Sequence, residues 1–251
     1  MLKVSIVTIC FNSVDTIENA IESVLNQNYP NIEYIIVDGS SQDGTKEIIN
    51  NYSSKIATFI SEPDSGLYDA MNKGIKASTG DIVGFINSDD MLSNKSVIRK
   101  IVKCFETSNA DIVYGDKKYV KRYKLDQTVR YWRAGTYRNG KFQNGWMPPH
   151  LSTYIKKSLY DKYGLFRTDL KIAADYELLL RFIVKYKNVP VYLPTVIAVM
   201  RQGGISNSSI KNRLQSLREV YISWKLNDLE VSPLIVFMKP FRKVLQFFKK
   251  N

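Results

Sequence analysis

Between residues 62 and 90 the chain reads EPDSGLYDAMNKGIKASTGDIVGFINSDD. The stretch ends in Asn87, Ser88, Asp89 and Asp90, delivered by the apolar, β-branched run 82–86. A buried strand carries acidic groups only where its carboxyl end meets water or a cation, and in open α/β sheets that edge is where ligands bind. Two adjacent carboxylates suit a hard divalent ion, Mg²⁺ or Mn²⁺, which takes few protein oxygens and fills its shell with phosphate oxygens and water. The chemistry indicated is the holding of a metal-bound diphosphate; the same pair, taken alone, could equally cap the helix that follows Ser93. No GxxxxGKS/T loop and no GxGxxG turn occurs. The commonest backbone cradles for phosphate are therefore absent, and carboxylates with a cation are the substitute.

The elements that position these residues alternate in the first hundred positions. Strand-like runs at 3–9, 34–37, 57–60 and 82–86 are separated by helix-like segments at 15–26, 44–51 and 66–77. A further helix at 96–105 precedes a strand at 111–114. This order predicts a mostly parallel sheet wound by right-handed crossovers. Asp15 and Glu18 form an N-cap pair for the first helix. Thr8 and Asn12 end the first strand, and Asp38 ends the second, so a third carboxylate reaches the same carboxyl edge. Beyond Lys117 the pattern changes to short aromatic and basic strands and a Gly/Pro/Asn-rich loop at 135–149. Helical spacing returns at 172–185 and 210–226, where Ile210, Leu214, Leu217, Tyr221 and Trp224 share one face.

With 251 residues, 44% of them hydrophobic, the chain can bury a full α/β core. Its formal charge of +12 is unevenly spread: residues 1–100 hold 8 Lys/Arg against 13 Asp/Glu, and residues 101–251 hold 28 against 11. The acidic half suits a divalent cation; the basic half suits phosphate, an anionic lipid surface or nucleic acid. Nucleic acid is disfavoured because no recognisable binding module or aromatic-basic signature is present. Cys10 and Cys104 have neither CxxC nor zinc spacing and read as packing residues of a reduced compartment. The N-terminus enters a strand directly without a signal-peptide pattern, which predicts a cytoplasmic protein. Residues 231–251 contain five Lys/Arg and no acid, with Phe237, Phe241, Leu245 and Phe248 on one helical face. That segment is too short and basic to span a bilayer but suits lying in an interface, at the inner face of the cell membrane or in a partner's groove.

Four ordered blocks, VSIVTICFN, YIIVDGSSQDGT, PDSGLYDAMNKGIKASTGDIVGFINSDD and KIAADYELLLRF, resemble the family 2 nucleotide-sugar glycosyltransferases of GT-A fold over roughly residues 3–205. The resemblance implies that Thr8 and Asp38 hold the uracil end of a UDP-sugar, with Asn12 beside them, and that Asp64 lies against the nucleoside. It implies that Asp89 or Asp90 binds the metal bridging the diphosphate. Asn87 departs from the family's DxD motif, whose first position is often Asp; a neutral amide can bond a ribose hydroxyl but is a poor metal ligand. Asn72 and Lys73 follow the family pattern and could face the diphosphate, or serve as a capping amide and a solvated lysine. Asp175 matches the family's base position, usually seen as Glu-Asp, at the start of an amphipathic helix. The helix dipole favours its ionised form, while desolvation beside an acceptor raises its basicity. A simple N-cap aspartate is the rival role. Trp146 and His150, in a proline-rich loop, are assigned to acceptor contacts, and residues 203–206 to a loop closing over the donor.

The expected fold is thus α/β: a GT-A, Rossmann-like sheet flanked by helices over residues 1–230, followed by an amphipathic helical tail at 231–251. Residues 1–115 form the nucleotide-sugar half and 116–230 the acceptor half. The expected activity is inverting transfer from a UDP-sugar to a hydroxyl of a glycan or lipid-linked glycan in bacterial surface polysaccharide synthesis. The alternative is a non-catalytic, nucleotide-binding scaffold at the membrane surface.

Overall fold

A computed structural model of the protein describes residues 1–203 and 210–231. Strand β1 (Val4–Cys10) is followed by α1 (Ile17–Leu25), β2 (Ile32–Asp38), α2 (Thr45–Asn50), β3 (Thr58–Ser61), α3 (Leu67–Ala77) and β4 (Ile82–Asn87). Then come β5 (Met91–Leu92), α4 (Val97–Thr107), β6 (Ile112–Lys121), β7 (Lys124–Trp132), β8 (Thr153–Lys156), α5 (Lys157–Tyr163), α6 (Ala174–Leu180), β9 (Pro190–Arg201) and α7 (Ile210–Leu226). The strands make one nine-stranded sheet in the order β3-β2-β1-β4-β8-β6-β9-β5, with β7 paired on β6.

The central strands are apolar because both faces are covered: every residue of β1 is buried, as are Glu33–Asp38 of β2 and Ile82–Ile86 of β4. Each fully buried Val or Ile contributes roughly 1.5–3 kcal/mol. Helix α3 can lie flat on β1 only because Gly74 has no side chain; a Cβ there would sit 2.3 Å from Val7 Cγ1. The parallel register aligns the strand ends, pairing Cys10 with Asp38, Ile9 with Asn87 and Asp38 with Ser61. The turns leaving β1, β2, β3 and β4 therefore open on one edge.

The expected parallel order holds for β3-β2-β1-β4 and for β6 with β9. Between them β8 runs antiparallel to both β4 and β6. The helix expected at 172–185 is α6 followed by a π-helical turn, Arg181–Lys185. Thr16, not Asp15, occupies the cap position of α1. The buried face of α7 is Glu219, Val220, Ser223 and Trp224, while Leu214 is exposed. Past Val231 the expected basic tail lies outside the described residues, as do residues 204–206 of the glycine loop.

At the opposite, amino-terminal end of the sheet, Glu33 is a buried knot. Its carboxylate accepts hydrogen bonds from Lys3 Nζ, Ser5 Oγ, Thr79 Oγ1 and Thr79 N. Burial alone would raise its pKa, but these donors outweigh burial and bring it from 4.5 to about 2. The carboxylate's stabilisation is complete above about pH 4.5 and is lost as pH falls toward 2. Glu33→Gln should lower the unfolding free energy by roughly 1–3 kcal/mol at pH 7, with the gap to wild type closing below pH ~4 in urea titrations. A gap that stays constant down to pH ~3 would contradict this.

Candidate active site

The common edge carries Asn12, Asp38, Asp64, Asn87, Asp89 and Asp90, brought together by the strand register. Asn12 takes a left-handed conformation (φ 46°) and its Oδ1 accepts the Gln42 N–H at 3.0 Å, tying the first turn to the second. Asp38 is fully buried and accepts hydrogen bonds from Ser41 N, Ser41 Oγ and Ser61 Oγ, so it organises the two turns around it. Asp64 is partly exposed and caps Gly66 N at 2.8 Å. Its Oδ2 also lies so close to Gly39 that a Cβ there would approach it to 2.6 Å.

Thr8 does not join this group: it is fully buried, and its hydroxyl lies 3.0 Å from the Tyr34 hydroxyl. Asn72 is turned to the protein interior. Its amide is spent in both directions on the backbone of Phe166, Nδ2 donating to the carbonyl at 2.9 Å and Oδ1 accepting the N–H at 3.0 Å. Lys73 is engaged with the Pro63 carbonyl (2.7 Å) and Glu62 (2.9 Å), bracing the turn that holds Asp64. Trp146 is buried against Tyr114, Tyr137 and Phe142, and its indole N–H donates to Ala134 O. Its ring is thus packed in the core, beneath the loop expected to meet an acceptor.

At the end of β4, Asp90 is fully buried and accepts the Arg201 N–H (3.2 Å) and Asn87 Nδ2 (3.3 Å). Burial and the neighbouring charge of Asp89, opposed by Lys117, push its pKa up to about 8. Asp89 is half-buried, and its carboxylate accepts no hydrogen bond among the described residues. Asn87 Oδ1 is buried without a partner. No three His, Cys, Asp or Glu side chains among the described residues stand together as a metal site. An open carboxylate, a buried one and an unfilled amide oxygen are nonetheless hard oxygen donors, and they fit a Mg²⁺ or Mn²⁺ ion whose remaining ligands come from phosphate and water.

Asp175 stands in the first turn of α6, half-buried, accepting its neighbour's N–H at 2.8 Å and the Tyr68 hydroxyl at 3.4 Å. Burial and the Asp175 charge raise the Tyr68 pKa, so the phenol stays protonated and donates. Glu177, the nearest other acid, is committed to Arg181 (3.1 Å) and Asn227 (3.0 Å). His150 lies between the rings of Phe85 and Phe166, each 5.5 Å away, with both nitrogens buried and unpartnered. Burial lowers its pKa against the pull of Asp175, with Lys117 adding to the lowering, so the imidazole is neutral at pH 7.

Four residues here were not picked out from the sequence. Phe11, directly after β1, leaves its ring 62% exposed beside Gly39 and Asp64, an open aromatic face at this edge. Arg201 closes over Asp90 from β9, and buried Lys117 lies within electrostatic reach of both Asp90 and His150. Glu219 on α7 accepts the N–H groups of Lys171, Ile172 and Ala173 at 2.8–3.1 Å, fixing the turn that opens α6 and so the position of Asp175. Only Phe11 had a local signal, an aromatic residue at a strand end.

The family model described as Glycosyl transferase family 2 matches residues 5–164. The chain belongs to this family. An uncharacterized glycosyltransferase of Mycobacterium tuberculosis (strain CDC 1551 / Oshkosh) is 33% identical over 183 residues, 71% of this chain and 68% of that protein. Among solved structures, residues 1–349 of S. aureus TarS in complex with UDP-GlcNAc align with a TM-score of 0.71 at 18% identity, covering 97% of this chain and 73% of that one. The mannosyltransferase PcManGT of Pyrobaculum calidifontis, in complex with GDP-Man and Mn²⁺, aligns with a TM-score of 0.67 at 18% identity, covering 96% and 69%. These likenesses establish the fold of this family 2 member as GT-A. Among the described residues no helix is long and apolar enough to cross a membrane.

Proposed function

We propose that the protein is an inverting glycosyltransferase that moves a sugar from a UDP-sugar to an acceptor hydroxyl, carried on a glycan or lipid-linked glycan in surface polysaccharide synthesis. The observation that carries this reading is the contrast among the acids around α6. Glu177 and Glu219 are fully hydrogen-bonded inside the protein, whereas Asp175 keeps a half-exposed carboxylate with one long side-chain contact. Such a group can take a proton without breaking the fold.

In this scheme the exposed ring of Phe11 is the platform for the nucleobase, with Asp64 beside it. Asp89, with Asp90, would hold Mg²⁺ or Mn²⁺, which supplies Lewis-acid stabilisation of the departing diphosphate. The acceptor oxygen forms its bond to the anomeric carbon as the bond to the UDP oxygen breaks, and Asp175 takes the hydroxyl proton. One in-line displacement inverts the anomeric centre. Neutral His150 and protonated Tyr68 add no competing charge near Asp175. The TarS complex with UDP-GlcNAc supports a uridine donor, and the GDP-Man complex of PcManGT makes GDP its competitor.

Asp175→Asn should keep UDP affinity within about threefold yet lose transfer or donor hydrolysis by roughly a hundredfold or more. Steady-state rates and calorimetric titration check both halves. Near-normal turnover in the folded variant would remove Asp175 from the chemistry, whereas a wild-type protein that binds UDP but neither transfers nor hydrolyses the donor would make the non-catalytic scaffold the better account.

The basic and aromatic residues at 231–251 support peripheral contact with an anionic membrane on the cytoplasmic side, each Lys or Arg adding about 1 kcal/mol. Full-length protein should co-sediment with anionic liposomes and be released by salt, whereas a chain ending at Val231 should stay in solution and still bind UDP. Equal sedimentation of the two would exclude the tail as the anchor.

A further inference from the structure

A further group of aromatic rings lies on the β6–β7 hairpin. Lys117 and Tyr119 share one face of β6; across the ladder Trp132 is the direct partner of Lys117, and Arg130 of Tyr119. Lys117 Nζ lies 5.1 Å from the Tyr119 ring centre and 4.9 Å from that of Trp132. The guanidinium carbon of Arg130 lies 4.4 Å and 5.6 Å from the same two rings. Both cations are buried, Lys117 to 6% and Arg130 to 8% exposure, while the two rings remain partly exposed.

Contact with the aromatic faces contributes about 0.5–2 kcal/mol to holding each cation in place. Lys117 makes no hydrogen bond or ion pair with any described residue, and its ammonium is not among the buried polar atoms that lack a partner, so the stem is enclosed while Nζ reaches the surface. Lys117 pairs with Ala198 of β9, whose partner on its other side is Leu92, two residues past Asp90. Asp90 is already satisfied by Arg201 N and Asn87. An ammonium that reaches the surface between two partly exposed rings, near the strand end that carries Asp90 and without a hydrogen-bonded protein anion, is arranged for an anion that arrives with a ligand.

We propose that the hairpin face of Lys117, Tyr119, Arg130 and Trp132 binds a phosphate group attached to a sugar, with Lys117 as counter-ion and the rings against the sugar. The proposal rests on the glycosyltransferase reading for the source of the phosphate, which is either the donor's diphosphate or a phosphate carried by the acceptor.

The test compares full-length wild type with Lys117→Met, which keeps length and loses charge. UDP and uridine are titrated with Mn²⁺ present; glucose 1-phosphate and glucose are then titrated into the UDP-loaded protein. The variant should melt within a few degrees of wild type and bind one phosphate probe about tenfold or more weaker, the scale of one charge-assisted contact, with its neutral counterpart unchanged. Loss on UDP identifies the donor as source, and loss on glucose 1-phosphate the acceptor. Lys117→Arg should retain binding within about threefold. If Lys117→Met does not fold, Arg130→Met, across the same rings, carries the same comparison. Wild type that binds UDP alongside a variant unchanged for both phosphate probes overturns this inference alone. Wild type that binds neither probe overturns the donor reading beneath it as well.

Discussion

The carboxylate of Asp90 has to be kept inside the protein, and the arrangement that keeps it there joins the two halves of the candidate site. A fully buried acid at the end of an apolar strand is costly unless donors meet it. One donor is local, the Asn87 amide, and the other is the backbone N–H of Arg201, over a hundred residues later at the end of β9. Pairing of β9 with β6 and β5 carries that N–H to the edge of β4. With Asp90 turned inward, Asp89 is turned out toward solvent and free to meet a cation. The same closure brings Lys117 of β6 alongside.

On the acceptor side the burden of order falls on α7. Glu219 receives three backbone N–H groups ahead of α6, Trp224 donates to the Tyr176 hydroxyl at 2.9 Å, and Asn227 donates to Glu177 at 3.0 Å. Hydrogen bonds to a buried charge are worth about 1.5–3 kcal/mol each, so this helix holds α6 firmly without a hydrogen bond to Asp175 among the described residues. A base needs this combination: a rigid support, and a carboxylate whose own contacts are weak enough to exchange for a proton.

The nucleotide edge was legible because its determinants are local. Parallel strands buried on both faces read as unbroken apolar runs, their intervening helices as amphipathic repeats, and the turn residues between them as acids and glycines at fixed offsets. The fates of single polar residues were not legible, since each was decided by a distant partner. Thr8 is taken by Tyr34, Asn72 by Phe166 and Trp146 by Ala134. In α7, spacing favoured Leu214 as core and any acid as surface. Three unpaired N–H groups near residue 172 instead draw Glu219 inside, and Leu214 rotates to solvent. Strands β5 and β8, with two and four residues, are too short to carry a period of their own.

That nucleotide and base share one edge is tested most directly by a crystal structure of the protein grown with UDP and Mn²⁺. The base ring should lie on Phe11, the Mn²⁺ density should touch the Asp89 carboxylate, and the β-phosphate should point toward the space between Lys117 and Asp175. Nucleotide bound elsewhere on the sheet, or a diphosphate directed away from Asp175, would contradict the catalytic arrangement.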